Sequence, residues 1–395
     1  MTAALCWNTL LADAMAGRLH MNDFGKFYYS ARAFLDGQDM YAPSPATDLR
    51  FEKAPGLQLL NMNPPHFHLV LLPLARLAPE SALTIWMAAN LMALVLSLQL
   101  IARELRIVWT PERLLLVGLG ASIFSGTQAF FGTGQLSLLL LLAVTVAWIQ
   151  ARRGQWVTTA IWLGAAMSVK PFLAIFLPYW LGTRRFRALG AALLAAAACF
   201  GIGLVVFGVR AYAGWYAALR QSGDWAWAAM NASTFGLFRR VFSDTPYYAP
   251  AVLAPGLLWA WIVPAGLIGV LSLWLAVTDT TREATDRAFC LLLVAAHLVS
   301  PLGWVYYMWL PAGPATALIV REMSGHERGL AAKGLAAVTI AGCCWPITWG
   351  YLFQPHAWAT VWVGSMYFWS ALAGWGWLLL DGAHVRYRMG AKHAC

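Results

Sequence analysis

Four stretches of this chain contain no Asp, Glu, Lys or Arg, and each is longer than a membrane-spanning helix needs to be. They are residues 114–150, 245–278, 290–320 and 334–380. About 20 apolar residues in a helix cross the hydrocarbon core of a bilayer. Because several of these stretches are long enough for two passages, the sequence predicts an all-α membrane protein that crosses the bilayer many times.

The composition excludes the soluble classes of protein. Of the 395 residues, 60% are hydrophobic and 11% are charged, whereas about a quarter of the residues in a soluble domain are charged. The formal net charge of +10 comes from short basic clusters between apolar runs. This pattern is typical of cytoplasmic membrane loops and not of a nucleic-acid site. None of the six cysteines forms a CxxC pair, so the cysteines indicate neither a zinc site nor a disulfide framework.

Two longer polar segments divide what we expect to be a single membrane domain over residues 1–395. In the first segment, aromatic residues at helical spacing follow Asn22-Asp23 and stop before Gly37. This spacing predicts an amphipathic helix that lies on the membrane surface. The expected parts are an outer loop at 18–62, core helices at 63–209, a second outer loop at 210–252 with helical character, and C-terminal helices at 253–380.

We expect about 11–13 transmembrane or re-entrant helices in total. The stretch 156–182 is apolar apart from Lys170-Pro171. It is predicted either as one broken span or as two half-helices that enter the membrane and return. Residues 1–17 are too short and too polar for a span, so we expect a missing upstream helix or the remnant of one. Further spans are predicted at 83–101, 114–131, 136–149, 188–209, 253–278, 287–302, 304–321, 331–351 and 358–380.

Basic clusters set the expected orientation of the chain. The cluster at 184–187, the loops at 282–287 and 321–333 and the C-terminal tail are rich in Lys and Arg. Because such loops stay in the cytoplasm, the outer side of the membrane should carry Asp23 and the loop at 210–252.

Asp23 and Lys170 are the polar residues with the clearest chemical potential. Asp23 stands at a helix start, where it is either an N-cap or a general base for a hydroxyl acceptor. Lys170 interrupts an uncharged stretch, and a Lys near the bilayer centre costs about 2.5–3.5 kcal/mol. A functional role is therefore the default, and a phosphate would suit the cation. The alternative is snorkelling to the interface, which Pro171 would ease.

Two further groups of residues have both a plain and a chemical interpretation. His66 and His68 are two apart and do not share a helical face, so we expect no metal pair. They are either interfacial anchors or include one phosphate contact. Trp304, Tyr306 and Tyr307 follow a Pro-Gly break, and they are either membrane-belt aromatics or the lining of a sugar pocket.

Five segments, taken in order, resemble glycosyltransferase family 87. They are DFGKFYYSARAFLDGQDMY, NPPHFHLVLLPLARL, GQLSLLLLL, GAAMSVKPFLAIFLPYWLGTRRFR and SPLGWVYYMW. None of these segments is diagnostic alone, but their order and spacing are similar to those of the family from about residue 20 to about residue 320.

The resemblance implies a GT-C fold and a hexosyltransferase that uses a polyprenyl-phosphate sugar, typically mannose. The acceptor, a lipid or glycan, would be met on the outer side of the bacterial cytoplasmic membrane. No metal or other cofactor is implied, since the leaving group is a lipid monophosphate and not a nucleotide diphosphate. The resemblance assigns the role of general base to Asp23. Tyr28 and Tyr41 fall on the pattern that follows it, and Gln135 and Lys170 fall on later polar positions.

Two features depart from the family, and two other functions stay open. Relatives usually begin with a full span before the Asp motif, and many carry a His where Tyr306 or Tyr307 stands here. A transporter or lipid flippase would also show a broken helix and an intramembrane Lys. A catalytically degenerate relative could serve as a membrane scaffold. The long polar segment at 18–62 and the lack of an internal repeat favour the enzyme.

Overall fold

The computed structural model describes residues 22–44, 60–245, 249–281, 283–323, 330–347 and 357–393. The expectation for residues 1–17 lies outside these ranges, as do parts of both polar segments. Within the described residues the secondary structure is helical, apart from an isolated antiparallel bridge between Asn231 and Trp304. The predicted all-α class is confirmed.

Helices of the first half, in chain order, are α1 (Asn22–Leu35), α2 (Pro79–Glu104), α3 (Pro111–Ile123), α4 (Ser125–Thr133), α5 (Ser137–Arg152), α6 (Trp156–Val169), α7 (Phe176–Gly182) and α8 (Phe186–Leu219). Those of the second half are α9 (Thr234–Phe242), α10 (Ile262–Thr278), α11 (Ala284–Val299), α12 (Ala312–Met323), α13 (Leu330–Cys343), α14 (Ala357–Trp362) and α15 (Met366–His393). Short 3₁₀ helices cover Pro65–Val70, Leu74–Arg76, Pro171–Ile175, Ser222–Trp225, Pro255–Trp261 and Val305–Trp309.

Large apolar side chains cover much of the outer surface. Leu194 and Val205 on α8 and Val263 on α10 are exposed, together with many similar residues. A soluble monomer rarely exposes contiguous apolar surface on this scale, whereas lipid would cover it. Among the described helices, α2, α8 and the Pro255–Thr278 unit are long and apolar enough to cross a membrane, and α3 with α4 adds a fourth if the pair is one span. The predicted multi-pass membrane protein is confirmed.

A helix break with long-range hydrogen bonds beside it interrupts one of the apolar segments. The segment predicted as a span at 114–131 is not one straight helix, because α3 and α4 meet at Phe124 with a bend of 59°. Beyond the bend, the Ser125 hydroxyl bonds to the carbonyl oxygens of Cys343 and Trp345. Hydropathy predicts that a stretch is apolar. It does not predict where a side chain in that stretch forms a hydrogen bond to a carbonyl group that is distant in the sequence.

Helix α8 is longer than the predicted span at 188–209. It continues to Leu219 through a non-helical Gly208, whose φ of 75° and ψ of 169° suit glycine. The predicted helical character of the 210–252 segment is therefore present from its first residue.

Close helix pairs also depend on glycine. A Cβ at Gly164 of α6 would overlap the backbone of Ala192 in α8, so these two helices approach each other closely.

Helix α1 is present as predicted, but its apolar face packs on the protein and not on the membrane surface. Phe24, Phe27 and Ala31 are fully buried. The ring of Phe27 lies 5.0 Å from that of Phe67, and the ring of Phe24 lies 6.1 Å from that of Trp86. The 3.6-residue spacing of the apolar residues in α1 correctly predicted a buried face. That face packs on the protein core. This packing holds the start of α1 against the middle of the molecule.

Candidate active site

A cavity of about 1080 Å³ lies between the start of α1, the break at Lys170, helix α10 and the break before Val305. Its lining is largely apolar and aromatic, and the charged side chains among its described lining residues are Asp23, Lys26 and Lys170. The residues predicted from the sequence that line it are Asp23, Gln135, Lys170, Trp304, Tyr306 and Tyr307. Four separate parts of the chain, at positions 23, 135, 170 and 304–307, therefore meet around one space.

The Asp23 carboxylate is held by two side chains. Its Oδ2 accepts a hydrogen bond from Gln135 Nε2 at 2.9 Å, and its Oδ1 lies 2.5 Å from Lys26 Nζ. Asp23 is the second residue of α1 and is 6% exposed. Because Asp23 and both of its partners line the cavity, the carboxylate lies at the cavity wall.

A tight turn after α4 brings Gln135 to this carboxylate. Helix α4 ends at Thr133. The next residue, Gly134, has a left-handed backbone with φ of 63°, and its carbonyl accepts a 2.7 Å hydrogen bond from the Trp86 indole. The Gln135 Oε1 accepts from the backbone N–H of Leu136 at 2.9 Å. Its Nε2 is thereby directed at Asp23 and at the Tyr306 hydroxyl, 3.0 Å away.

We expect Gly134→Ala to damage both the fold and the site. The new Cβ would lie 2.7 Å from the Phe24 Cβ in a backbone conformation that L-residues avoid. Gly132→Ala, two residues earlier in α4, is the matched control because a Cβ there meets nothing within 4 Å. The apparent melting temperature in detergent should fall for Gly134→Ala and hold or rise for Gly132→Ala. Equal melting temperatures would show that the turn does not need glycine.

Lys170 stands at the break that the sequence predicted. Helix α6 ends at Val169, because Pro171 has no N–H with which to continue it. A 3₁₀ helix begins at Pro171. The Lys170 Nζ donates to Asn63 Oδ1 at 2.8 Å and lies 5.6 Å from the Tyr307 ring centroid. The ammonium group therefore points into the cavity with a neutral partner, and it is free to meet an anion there.

The break at 300–304 supplies an aromatic wall. The rings of Trp304 and Tyr306 stack at 6.3 Å, and Tyr307 meets Tyr306 edge-on at 4.7 Å. Tyr306 and Tyr307 are both buried in this wall. Trp225 and Trp227 also line the cavity. Aromatic faces that carry hydroxyl groups suit a sugar ring, because the ring presents C–H groups and hydroxyls together.

Four predicted site residues lie outside the cavity lining. Tyr28 donates to the Leu77 carbonyl at 2.8 Å, and Tyr41 donates to the Asn63 carbonyl at 2.6 Å. His66 contacts Tyr212 and Ser168, each at 3.1 Å. His68 contacts the Asn61 amide at 2.7 Å.

Two of these side chains, Tyr41 and His68, support a residue that lines the cavity. Asn61 also bonds to the Asn63 backbone N–H at 3.1 Å, so His68 and Tyr41 hold the segment that presents Asn63 to Lys170. The 3₁₀ helix that carries both histidines lies outside the candidate membrane spans. Burial lowers the pKa of each imidazole to about 4, so both are neutral at pH 7. Substrate contact by these four residues stays a prediction that the geometry does not support.

Sequence reasoning missed three residues of the site. Lys26 was detectable, since it lies three residues after Asp23 on the same helical face. Asn63 precedes the double proline at the start of an apolar stretch, and no role was predicted for it. Arg240 belongs to the polar segment that was predicted as an outer loop with helical character, and its side chain is fully buried. It donates to the carbonyl oxygens of Ala228 at 2.9 Å and Asn231 at 3.1 Å, which holds the Trp225–Trp227 wall in place.

Comparison with known proteins identifies relatives of this chain. The model of glycosyltransferase family 87 matches residues 61–301. The polyprenol-phosphate-mannose-dependent alpha-(1-2)-phosphatidylinositol pentamannoside mannosyltransferase of Mycolicibacterium smegmatis is 26% identical over 272 residues, which are 64% of this chain and 60% of that relative. The polyprenol-phosphate-mannose-dependent alpha-(1-2)-phosphatidylinositol mannoside mannosyltransferase of Mycobacterium tuberculosis is 26% identical over 416 residues, 97% of this chain and 92% of that relative.

The match therefore spans less than two thirds of the first relative and most of the second. No solved structure matches the chain. Since the family model covers more than half of the residues, the resemblance seen in the sequence is confirmed: this chain belongs to glycosyltransferase family 87, a family of membrane glycosyltransferases.

Proposed function

We propose that the protein transfers mannose from polyprenyl-phosphate mannose to a hydroxyl of a lipid or glycan acceptor, at the outer face of the bacterial cytoplasmic membrane. The observation that carries the proposal is the meeting of the Asp23 carboxylate and the Lys170 ammonium in one largely apolar cavity. A carboxylate can take the proton of an acceptor hydroxyl, and a cation can stabilise a departing phosphate. Both relatives are named as polyprenol-phosphate-mannose-dependent enzymes, which is the same class of donor.

The mechanism needs three groups with separate tasks. Asp23 accepts the acceptor proton while the acceptor oxygen attacks the anomeric carbon of the sugar. Lys170 binds the phosphate, which leaves with the electron pair of the broken bond. Gln135 holds Asp23 Oδ2 at 2.9 Å, so the free lone pairs of the carboxylate have a fixed direction. Tyr306 and Trp304 would pack against the sugar.

The apolar part of the cavity suits the lipid carrier. Helix α10 presents small residues there, and a Cβ at Gly266 would meet nothing within 4 Å. A polyprenyl chain needs such an apolar path from the bilayer to the reacting phosphate.

We propose that the reaction uses no metal, because a lipid monophosphate leaves without the pyrophosphate charge that a metal usually neutralises. The described residues contain no group of three or more His, Cys, Asp or Glu side chains that could hold a metal ion.

Membranes from cells that express the protein test the proposal directly. Polyprenyl-phosphate [¹⁴C]mannose should label a lipid or glycan product in these membranes and not in membranes from matched cells without the protein. Labelling from a nucleotide-linked mannose, in membranes where polyprenyl-phosphate mannose cannot form, would contradict the proposed donor. A transporter or flippase would move the donor between leaflets without forming a new glycoside.

The proposed orientation gives a labelling prediction. We expect a cysteine at Gln38 to react with a membrane-impermeant maleimide in intact cells, and a cysteine at Arg187 to react only after permeabilisation. Both side chains are exposed in the structure, and the basic cluster beside Arg187 should remain in the cytoplasm. The background is a chain whose six native cysteines are replaced. The opposite pattern would place the active cavity at the cytoplasmic face.

A further inference from the structure

We propose that Lys26 changes partner during the reaction, from the Asp23 carboxylate to the phosphate of the departing polyprenyl phosphate. This inference rests on the proposed function, and it assigns a task to a cation that the mechanism above leaves unused. Lys26 would act as a shared cation whose charge follows the negative charge from the carboxylate to the phosphate.

The starting arrangement is visible in the structure. Lys26 and Asp23 lie one turn apart on α1, and their charged atoms are 2.5 Å apart with side chains that are each 9% exposed. Both line the same cavity as Lys170. The Lys170 Nζ donates there to the neutral Asn63 amide at 2.8 Å. The cavity therefore holds two lysine side chains and one carboxylate before a substrate enters.

The charge of the substrate balances the charges of Asp23, Lys26 and Lys170. A polyprenyl-phosphate sugar is a phosphodiester with one negative charge, which brings the sum of donor, Asp23, Lys26 and Lys170 to zero. After transfer, Asp23 carries the proton and is neutral. The polyprenyl phosphate is then a monoester, whose second pKa near 6 gives it close to two negative charges at neutral pH. The sum is again zero, with both negative charges on the phosphate.

The bond changes force Lys26 to find a new partner. The acceptor oxygen bonds to the anomeric carbon, the bond from that carbon to the phosphate oxygen breaks with its electron pair on the phosphate, and the acceptor proton moves to Asp23. Lys26 would then be a buried cation beside a neutral acid, which is strongly unfavourable. The same step creates a second negative charge in the cavity. A flexible lysine stem with a compact ammonium can follow that charge, whereas a planar guanidinium is less suited to it.

The exchange predicts that Lys26 distinguishes the product from the donor. Polyprenyl monophosphate, the dianion, should contact both lysines, whereas the monoanionic donor should contact mainly Lys170. We expect Lys26→Met to raise the inhibition constant of polyprenyl monophosphate about tenfold or more at pH 7.5. The KM for the donor should change less than about threefold. Lys170→Met should raise both constants. Lys333→Met, at an exposed position on α13 outside the cavity, is the matched control.

A second measurement uses the unaltered protein, so that it does not depend on the folding of a variant. In lipid nanodiscs at pH 7.5, the wild-type protein should bind polyprenyl monophosphate at least about tenfold tighter than the phosphate methyl ester of the same polyprenol. Equal binding of the two esters would overturn the exchange. So would an equal rise of the donor KM and of the polyprenyl monophosphate inhibition constant in Lys26→Met. A wild-type protein that binds the two esters as expected but transfers no mannose would overturn the proposed function instead.

Discussion

Asp23→Asn is expected to lower mannose transfer by roughly 100-fold or more while the protein still folds. An amide cannot accept the proton that the acceptor hydroxyl must lose, and positioned general bases contribute about 10²–10⁴-fold to a rate. Asn has the same shape and can still accept the hydrogen bond from Gln135. Transfer should be measured at equal protein level, with folding checked by size-exclusion chromatography in detergent.

Two controls separate chemistry from folding in this experiment. Asp36→Asn, just beyond the end of α1, removes a carboxylate whose ion pair with Arg32 is about half exposed, and such surface pairs contribute little. It should transfer like the wild type. The double variant Asp23→Asn with Lys26→Met removes the unpaired cation that the single variant leaves behind. If the double variant recovers transfer to within a few-fold of wild type, Asp23 served only to neutralise Lys26, and the general base must be sought elsewhere.

Lys170→Met is expected to reduce donor use by about 10-fold to 100-fold, because a charge-assisted contact with the donor phosphate contributes about 1.5–3 kcal/mol. The partner of the ammonium in the structure is the neutral Asn63 amide, so the loss should be larger for substrate binding than for folding. The measurement is the transfer rate as a function of donor concentration.

Lys333→Met, at an exposed position of α13, serves as the control for protein level and for the substitution itself. Lys170→Arg adds a second check, since it keeps the charge but changes the geometry, and should retain part of the donor affinity. A normally expressed Lys170→Met protein with an unchanged donor KM and an unchanged rate would contradict a phosphate contact at Lys170.

The sequence was sufficient to find the main breaks and the charged residues in them. An uncharged stretch with one Lys before a Pro predicts a helix end that faces something polar, and α6 does end at Val169. The Pro-Gly break at 300–304 similarly predicted where the aromatic wall forms. Both inferences depend on local chemistry, namely the missing N–H of proline and the high cost of a charge in an apolar segment.

The contacts between these breaks could not be predicted in the same way. Nothing in the spacing of Asp23 and Gln135 shows that a left-handed glycine turn brings them to 2.9 Å. Gln135 was selected only through the family resemblance. His66 and His68 looked like possible phosphate ligands because the sequence shows polarity but not the buried partners that satisfy it. Helix α1 illustrates the same limit, since its apolar period predicts a buried face without naming the surface that buries it.

The most direct test of the proposed function is a structure of the Asp23→Asn protein in nanodiscs with polyprenyl-phosphate mannose bound, determined by electron cryomicroscopy. The expected result has a phosphate oxygen within hydrogen-bond distance of Lys170 Nζ and the sugar beside Trp304 and Tyr306. The anomeric carbon should face the residue 23 amide, and the polyprenyl chain should run along α10. Donor density in another part of the molecule, with this cavity empty, would contradict the proposed function.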